Sequence, residues 1–495
     1  MKIRKCVFGK TNVFLLLFLL MGWTEAGAKT YYCSPTGGGA GDSYSTPCSF
    51  TSGISKLVAG DTLFCLGGQY DLKSTVSFTK NGTAQKKVCI YNYPGEKPIF
   101  DFRKMAYGSR GIQVKEGSNY VHIKGLTIRY TGKNGLHNSG SHCTFEQLDV
   151  YGNGDTGIQM KAGGDNTIIN CDSHDNFDYQ LANDFGGNAD GFADKQYTGG
   201  TNTYINCRAW NNSDDGWDLY ERVSQSGTEI VMKNCICYHN GPTEYDMRNH
   251  PRYDTDKSWF DQFAGEGKYV TFRNGTTIRV TLEHYHNNGN ANGFKMGGNK
   301  TVCNVRALQC LAVANNGKGF DHNNNYGQMV IYNASAYANN QDFGYNNDGG
   351  GKLTVRNSIS LNSRNANTFK CKETDVMNNS WDIAGLKCDE SDFVTLDTTL
   401  ICSPRMDDGS LPLLPFMRLT ETSDLRDKGV GVGLPFSGKA PDLGCYEYED
   451  VTAVRGVEHM PMADDDKMYN IMGIAIPATS ASHGIFIYRG KKIRR

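Results

Sequence analysis

A glycine followed by a large apolar residue recurs along the middle of this sequence, at Gly111-Ile112, Gly135-Leu136, Gly157-Ile158, Gly191-Phe192, Gly216-Trp217, Gly293-Phe294 and Gly319-Phe320. By subtraction the steps are 24, 22, 34, 25, 77 and 26 residues. A period of this size constrains a chain strongly, because each repeat is one unit that buries its apolar side only by stacking on the next. A second pattern falls between these points: Ile168-Ile169-Asn170-Cys171, Tyr204-Ile205-Asn206-Cys207, Val231-Met232-Lys233-Asn234-Cys235, Ile331-Tyr332-Asn333-Ala334 and Thr354-Val355-Arg356-Asn357-Ser358. Each runs on through small or apolar residues to another asparagine, at Asn176, Asn212, Asn240, Asn339 and Asn362. Short alternating strands without long amphipathic helical stretches predict an all-β fold, a right-handed parallel β-helix with one coil per roughly 22 to 28 residues. Apolar residues should stack inside, asparagines should form turn ladders, and glycines should supply corner conformations that side chains forbid.

Length alone, 495 residues, would suggest about three domains of roughly 150 residues, but a solenoid grows without new cores. The predicted organisation is a leader over 1–28, a β-helix over 29–450 with an insertion near 241–263, and a small β tail over 451–495. Ser52 to Val58 is expected to be a short capping helix at the first end, and residues 390–450, where the period fades, to close the other. The leader reading rests on Lys2, Arg4, Lys5 and Lys10 before the apolar stretch Val13 to Trp23, and on Ala26-Gly27-Ala28 as a small-residue cleavage site. It implies export to the periplasm, the cell surface or the medium, and no membrane span. A formal net charge of -1, evenly spread, argues against an electrostatic nucleic-acid binder. A monomer is expected.

Export permits disulfides, so Cys33 and Cys48, which bracket a Gly/Ser loop, are the first expected pair, followed by Cys65/Cys89 and Cys371/Cys388. Cys171, Cys207 and Cys235 fall at matching places of the repeat and read as small buried residues.

If Gly-apolar motifs stack, residues at equal offsets stand about 4.8 Å apart on successive coils. One residue before the glycine the column reads Arg110, Asn134, Thr156, Asp190, Asp215, Asn292 and Lys318; two after it, Gln113, His137, Gln159, Ala193, Asp218, Lys295 and Asp321. With the residue after glycine inside, these point outward. Asp190, Asp215 and Asp218 therefore gather on the outer face with Asp214 beside them. Lys295 is expected about two coils away, roughly 10 Å, with one coil unassigned within the 77-residue step. Like charges a few ångströms apart raise each other's pKa, and a hard divalent cation bound by oxygen ligands relieves that conflict; calcium is the expected ion. Asp184, Asp194 and Asp321 are neighbouring acids not assigned to it. Four residues past the glycine stand Lys115, Ser139, Lys161, Lys195 and Tyr220, and the insertion carries Arg248 and Arg252 among aromatics; Lys161, Lys195, Tyr220, Arg248 and Arg252 are the expected binders of a carboxylate-bearing ligand.

The segments NADGF, SDDGWD and NGFK on such a repeat, with YYCSPTGG near the start and APDLGCYEY near the end, resemble polysaccharide lyase family 9 from about Tyr31 to Tyr448. The resemblance implies calcium-binding roles for Asp190, Asp214, Asp215 and Asp218, and a base role for Lys295. It also implies β-elimination at galacturonate in a pectic polysaccharide, endo-acting, with a 4,5-unsaturated product and alkaline activity, since a lysine base must be neutral. Both homogalacturonan and the rhamnogalacturonan-I backbone remain open as substrates. Two other readings stay open at this stage: a β-helical pectin glycoside hydrolase using aspartate acid and base, and a non-catalytic carbohydrate-binding solenoid.

Overall fold

A computed structural model describes residues 27–241, 244–264, 268–347 and 349–448, together with the backbone of four short strands nearer the C-terminus. Up to position 26 the expected leader lies outside the described residues. No helix among them is long and apolar enough to cross a membrane.

The chain forms two compact units, one comprising Met1–Thr203, Asn212–Asp214 and Thr243–Gly289, the other Tyr204–Asn211, Asp215–Pro242 and Asn290–Arg495. Each is built of short parallel strands, three to a coil, and each strand pairs with its equivalent on the next coil. In the first unit Ile112–Val114, Leu136–Asn138, Ile158–Met160 and Phe192–Asp194 pair in that order, so Ile112, Leu136, Ile158 and Phe192 share one register position. In the second, Trp217, Phe294 and Phe320 share the same kind of position. Their rings stack at 5.2 and 5.0 Å, and Phe343 continues the stack at 5.1 Å. All of these side chains are buried. The period-2 alternation thus does what its pattern requires: one face of each strand feeds a continuous apolar stack, and the other faces out. This is the parallel β-helix expected from the repeat.

Asparagine and glycine divide the corner work differently from expectation. Asn170, Asn206, Asn234, Asn333 and Asn357, one in each repeated strand pattern, hold φ between 50° and 56°. The backbone conformation that bends the chain between strands therefore falls to asparagine, which tolerates it better than most residues. The glycines of the Gly-apolar motif have no such φ; they give up a side chain for room. A Cβ on Gly157 would stand 2.0 Å from Ser173 Oγ and 2.8 Å from Asn176 Nδ2, and one on Gly216 would stand 2.5 Å from Cys237 Sγ. That room admits the asparagine ladder. Asn153 Nδ2 donates to Asn176 Oδ1 at 2.8 Å and Asn176 Nδ2 to Asn212 Oδ1 at 2.7 Å. In the second unit Asn240 donates to Asn315, and Asn315 to Asn339, both at 2.8 Å, and Asn339 ends the run on Asp342 Oδ1. Asn362, expected in this ladder, is instead an exposed turn residue with φ 58°.

The capping helix forms at Phe50–Lys56, with Ser49 accepting from Ser52 N at its start. Its Phe50 ring packs 4.5 Å from Phe100 at the end of the apolar stack. Residues 390–448 do more than close an end. Phe393, Ile401, Leu414, Phe416 and Leu443 cover Ile236, Leu311 and Ile359, which project outward from one sheet of the second unit. Arg208 fastens this covering by donating to the carbonyls of Ile401 and Ser403. In the tail, Met468–Asn470, Ala475–Ile476, Ile485–Tyr488 and Lys491–Arg494 form an antiparallel sheet.

Two expectations need correction. None of the fifteen cysteines among the described residues is in a disulfide. Cys33 and Cys48 do meet, as a parallel backbone bridge, but the Cys48 thiol donates to the Tyr32 carbonyl at 3.3 Å and Cys33 Sγ lies 3.9 Å from the Tyr70 hydroxyl. Cys65 and Cys89 lie three residues out of register, since Cys65 pairs with Asn92 and Cys89 with Thr62. Cys171, Cys207 and Cys235 are buried small residues, as the repeat predicts. The 77-residue step also holds no additional coil of the Trp217 sheet: Trp217 pairs directly with Phe294 and Asp218 with Lys295. The insertion instead spans Glu244 to His286, with a short helix at Lys257–Phe263 and two small antiparallel pairings, around a core of Phe177, Tyr179, Phe185, Phe260 and Tyr285 in the first unit.

Candidate active site

Asp190 sits in the first unit just before the strand Phe192–Asp194 and is fully buried. Its Oδ2 accepts from Thr156 Oγ1 at 2.8 Å and from Lys195 Nζ at 2.7 Å. Thr156 occupies the same column one coil earlier, so the stacking that places the acid also places a donor for it. Asp214, also buried, donates its backbone N–H to the carbonyl of Ala189 at 3.1 Å. This fixes the Asp214 main chain beside the residue that precedes Asp190.

Asp215, Asp218 and Lys295 belong to the second unit. Asp215 is fully buried, and its Oδ1 accepts from both the backbone N–H and the side-chain amide of Asn292, at 2.8 and 2.9 Å. Its Oδ2 accepts from Lys295 Nζ at 2.8 Å. Lys295 Nζ also lies 3.4 Å from Asp218 Oδ1, which accepts the backbone N–H of Tyr220. Burial pushes the Asp215 carboxyl above the usual carboxylate range; the Lys295 charge opposes that rise and the Asp218 charge adds to it. The ammonium of Lys295 stands over the Tyr220 ring, 5.6 Å from its centre. Only 8% of Lys295 is exposed. A lysine held this tightly is positioned rather than solvated.

Lys295 is therefore one coil from Asp218, not two, and the expected 10 Å separation shrinks to an ion pair. Lys195, expected among the polysaccharide binders, is instead the counter-ion of Asp190. Lys161 reaches the carbonyl and side-chain oxygens of Gln196. Arg248 is exposed and clamps Asp246, with Glu283 3.5 Å away. Arg252 is removed from the list of polysaccharide binders: it is fully buried and donates to the carbonyls of Phe102, Met105 and Tyr130, to Tyr179 and to Asp256. It ties the insertion to the coils as a structural cation. Sequence reasoning passed over Thr156 and Asn292 as site residues although both stood in the column before the glycine, where each donates to an aspartate. The acids left unassigned are engaged elsewhere: Asp194 by Tyr197 and Asn202, Asp184 by Arg273 and Asn288, and Asp321 by Lys318.

Asp190, Asp215 and Asp218 each offer a carboxylate oxygen of the kind that holds a metal ion. The donor set is hard and anionic, which suits calcium in chemistry and flexibility.

Residues 31–255 match the family described as Pel9A-like, right handed beta helix region. The chain is 33% identical over 435 residues to pectate lyase L of Dickeya chrysanthemi, covering 85% of this chain and 90% of that one. It is 28% identical to pectate lyase L of Paenibacillus polymyxa, over 77% of this chain and 78% of the other. Among solved structures, pectate lyase Pel9A superposes with a TM-score of 0.70 at 30% identity, over 86% of this chain and 97% of its own. A rhamnogalacturonan lyase shares the fold with a TM-score of 0.62 at 22% identity, over 80% and 97%. A similarity of this level over nearly the whole of both chains, on a β-helix carrying the lysine and aspartates just described, places this chain in polysaccharide lyase family 9 as a polysaccharide lyase.

Proposed function

We propose that this enzyme is an exported, calcium-dependent, endo-acting lyase that cleaves a pectic polysaccharide at galacturonate by β-elimination, on homogalacturonan or the rhamnogalacturonan-I backbone. The observation that carries the reading is the buried Lys295, in register with Asp218 and 2.8 Å from Asp215. A lysine so placed is a base held at a fixed point on a carboxylate-lined surface. The names of the relatives, pectate lyases and a rhamnogalacturonan lyase, support the substrate class.

Asp190, Asp214, Asp215 and Asp218 would hold the calcium ion. The link between them is the chain itself: Asp214 is anchored beside Ala189 and is joined to Asp215 by one peptide bond. When bound, calcium would bind the substrate carboxylate and supply positive charge where negative charge develops as C5 loses its proton. Lys295, neutral, takes that proton onto Nζ. The C4–O bond breaks with its electron pair going to the leaving oxygen, which is protonated from water, and the C4–C5 double bond forms. Asn292 holds Asp215 by two hydrogen bonds and so keeps Lys295 oriented. Because the base works only when neutral and an ordinary lysine titrates near 10.4, turnover rises with pH on the alkaline side.

The test is to incubate the protein with polygalacturonate and with rhamnogalacturonan I, with and without a chelator, and read ultraviolet absorbance of the conjugated product. Absorbance that grows with calcium and stops with the chelator is expected. Reducing ends released without absorbance would mean hydrolysis and overturn the proposal.

A further inference from the structure

In the first unit the outward column that ends at Ala193 begins differently. Gln113, His137 and Gln159 are in register on three successive coils. His137 is 3% exposed, and neither ring nitrogen has a hydrogen-bond partner. Leaving a buried N–H unmade is costly, and such a group in a native fold asks for an explanation. Four half-buried cations, Arg110, Lys115, Lys133 and Lys161, are near enough to act electrostatically on the ring. Two of them lean on uncharged amides, Arg110 on Asn134 Oδ1 at 3.2 Å and Lys115 on Gln113 Oε1 at 2.9 Å. Lys133 meets a carboxylate, Asp155, at 3.4 Å.

We propose that His137 and the cations over it, Arg110 and Lys115 foremost, form a binding subsite for a second uronate carboxylate of the polymer, two coils from the coil of Asp190. The inference rests on the lyase reading above and deepens it. By strand spacing the subsite is about 10 Å along the sheet from the Ala193 coil, so it engages a sugar beyond the one that reacts. Its parts do different work. The cations take the carboxylate charge, and arginine and lysine held by amides can exchange those contacts for the stronger ones an anion offers. The imidazole supplies an N–H donor that adds no charge: burial, together with Arg110, Lys161, Lys133 and Lys115, pushes its pKa down to about 3, so it stays neutral among them. A lysine or arginine at that buried position would add a fifth positive charge to the four already there.

The experiment is steady-state kinetics of the full-length protein on uronate oligomers of increasing length, comparing Arg110→Gln, Lys115→Gln, His137→Leu and His137→Gln. Arg110 and Lys115 are partly exposed, so their variants report on the subsite even if His137→Leu fails to fold. Each of the first three should raise KM for long oligomers about tenfold, with kcat and the KM of the shortest cleaved oligomer unchanged; His137→Gln, which keeps a donor, should recover most of the loss. Calorimetric titration of the same variants with carboxyl-reduced long oligomers should show no difference between them, because the recognised group is gone. A parent protein that cleaves both long and short oligomers while its variants keep the parent KM overturns the subsite and leaves the lyase reading standing. Equal KM increases on long and short oligomers also overturn it. A parent that neither cleaves nor binds uronate polymers overturns both.

Discussion

The outward column two residues past the glycine reads Gln113, His137, Gln159 and Ala193 in the first unit, and Asp218, Lys295 and Asp321 in the second. The backbone is the same in both: short parallel strands, in register, with an apolar residue turned inward beside each outward one. The chemistry is not. One column is uncharged and overlaid by cations; the other alternates acid, base and acid, with its lysine locked to a buried carboxylate. The lesson is that the coil provides address and spacing, and single substitutions along a column set the chemistry each address offers.

The comparison can be broken most severely at the reacting end. Chelation should bring turnover to background, with recovery on adding calcium and not magnesium, because the acids of the site suit a larger and more flexible oxygen-ligand ion. Persistence of turnover in chelator would leave the aspartates with no metal role. Replacing Lys295 with Ala should lower kcat about 10²- to 10⁴-fold, as loss of a general base does, while polymer retention on an affinity gel persists. If the variant keeps parental kcat, the base is another residue. Asn292→Ala removes the amide that orients Asp215, and kcat should fall about tenfold to a hundredfold, the range for groups that orient ligands. An effect smaller than twofold would mean that Lys295 and the backbone N–H of residue 292 hold Asp215 without the side-chain amide.

The mildest test concerns the polar ladders, where the second unit ends on Asp342 and not on another asparagine. Burial raises the Asp342 carboxyl to about 6, against hydrogen bonds from Asn339 and Ser360 that lower it. Its contribution to stability is full below the unfolded value near 3.9 and is lost as pH rises through about 6. Asp342→Asn should therefore be more stable than the parent at pH 8, by about 1–3 kcal/mol, with the difference vanishing near pH 4. Thermal melts at the two pH values measure it, and a variant less stable at pH 8 would show that the carboxylate is the better end to the ladder.

Much of this was readable in advance because a solenoid writes its three-dimensional neighbours into a one-dimensional period. Asp190, Asp215, Asp218 and Lys295 could be assigned to outward positions from the glycines alone, and Trp217 and Phe294 to inward ones. What the period does not contain is the return point of an excursion. Whether Gly216 and Gly293 mark adjacent coils or coils with one between them depends on where the insertion folds, so Lys295 was placed twice as far from Asp218 as it lies. Arg252 was misread for a related reason. An arginine among aromatics looks the same whether it faces solvent or a pocket, and its burial depends on carbonyls at Phe102, Met105 and Tyr130, more than a hundred residues earlier. Lys195 was placed on the right surface with the wrong partner, because an offset in a column gives a position and not the reach of a flexible side chain. The thiols were misjudged because closeness along a parallel ladder is not disulfide geometry.

The direct pairing of Trp217 with Phe294 also bears on how the chain assembles. Other joins within the apolar stack of either unit close after 22 to 36 residues, whereas this one closes after 77. Loop closure scales with the logarithm of length, so tripling the excursion adds only about 1 kcal/mol. A coil boundary is thus a tolerant place to store sequence: the excursion can lengthen, shorten or change its aromatics at little thermodynamic cost, provided both ends deliver Asp218 and Lys295 into register. The same boundary is where zipping of one coil onto the next must wait for the longest search, which makes the pairing of Asp218 with Lys295 one of the last contacts expected to form as the protein folds.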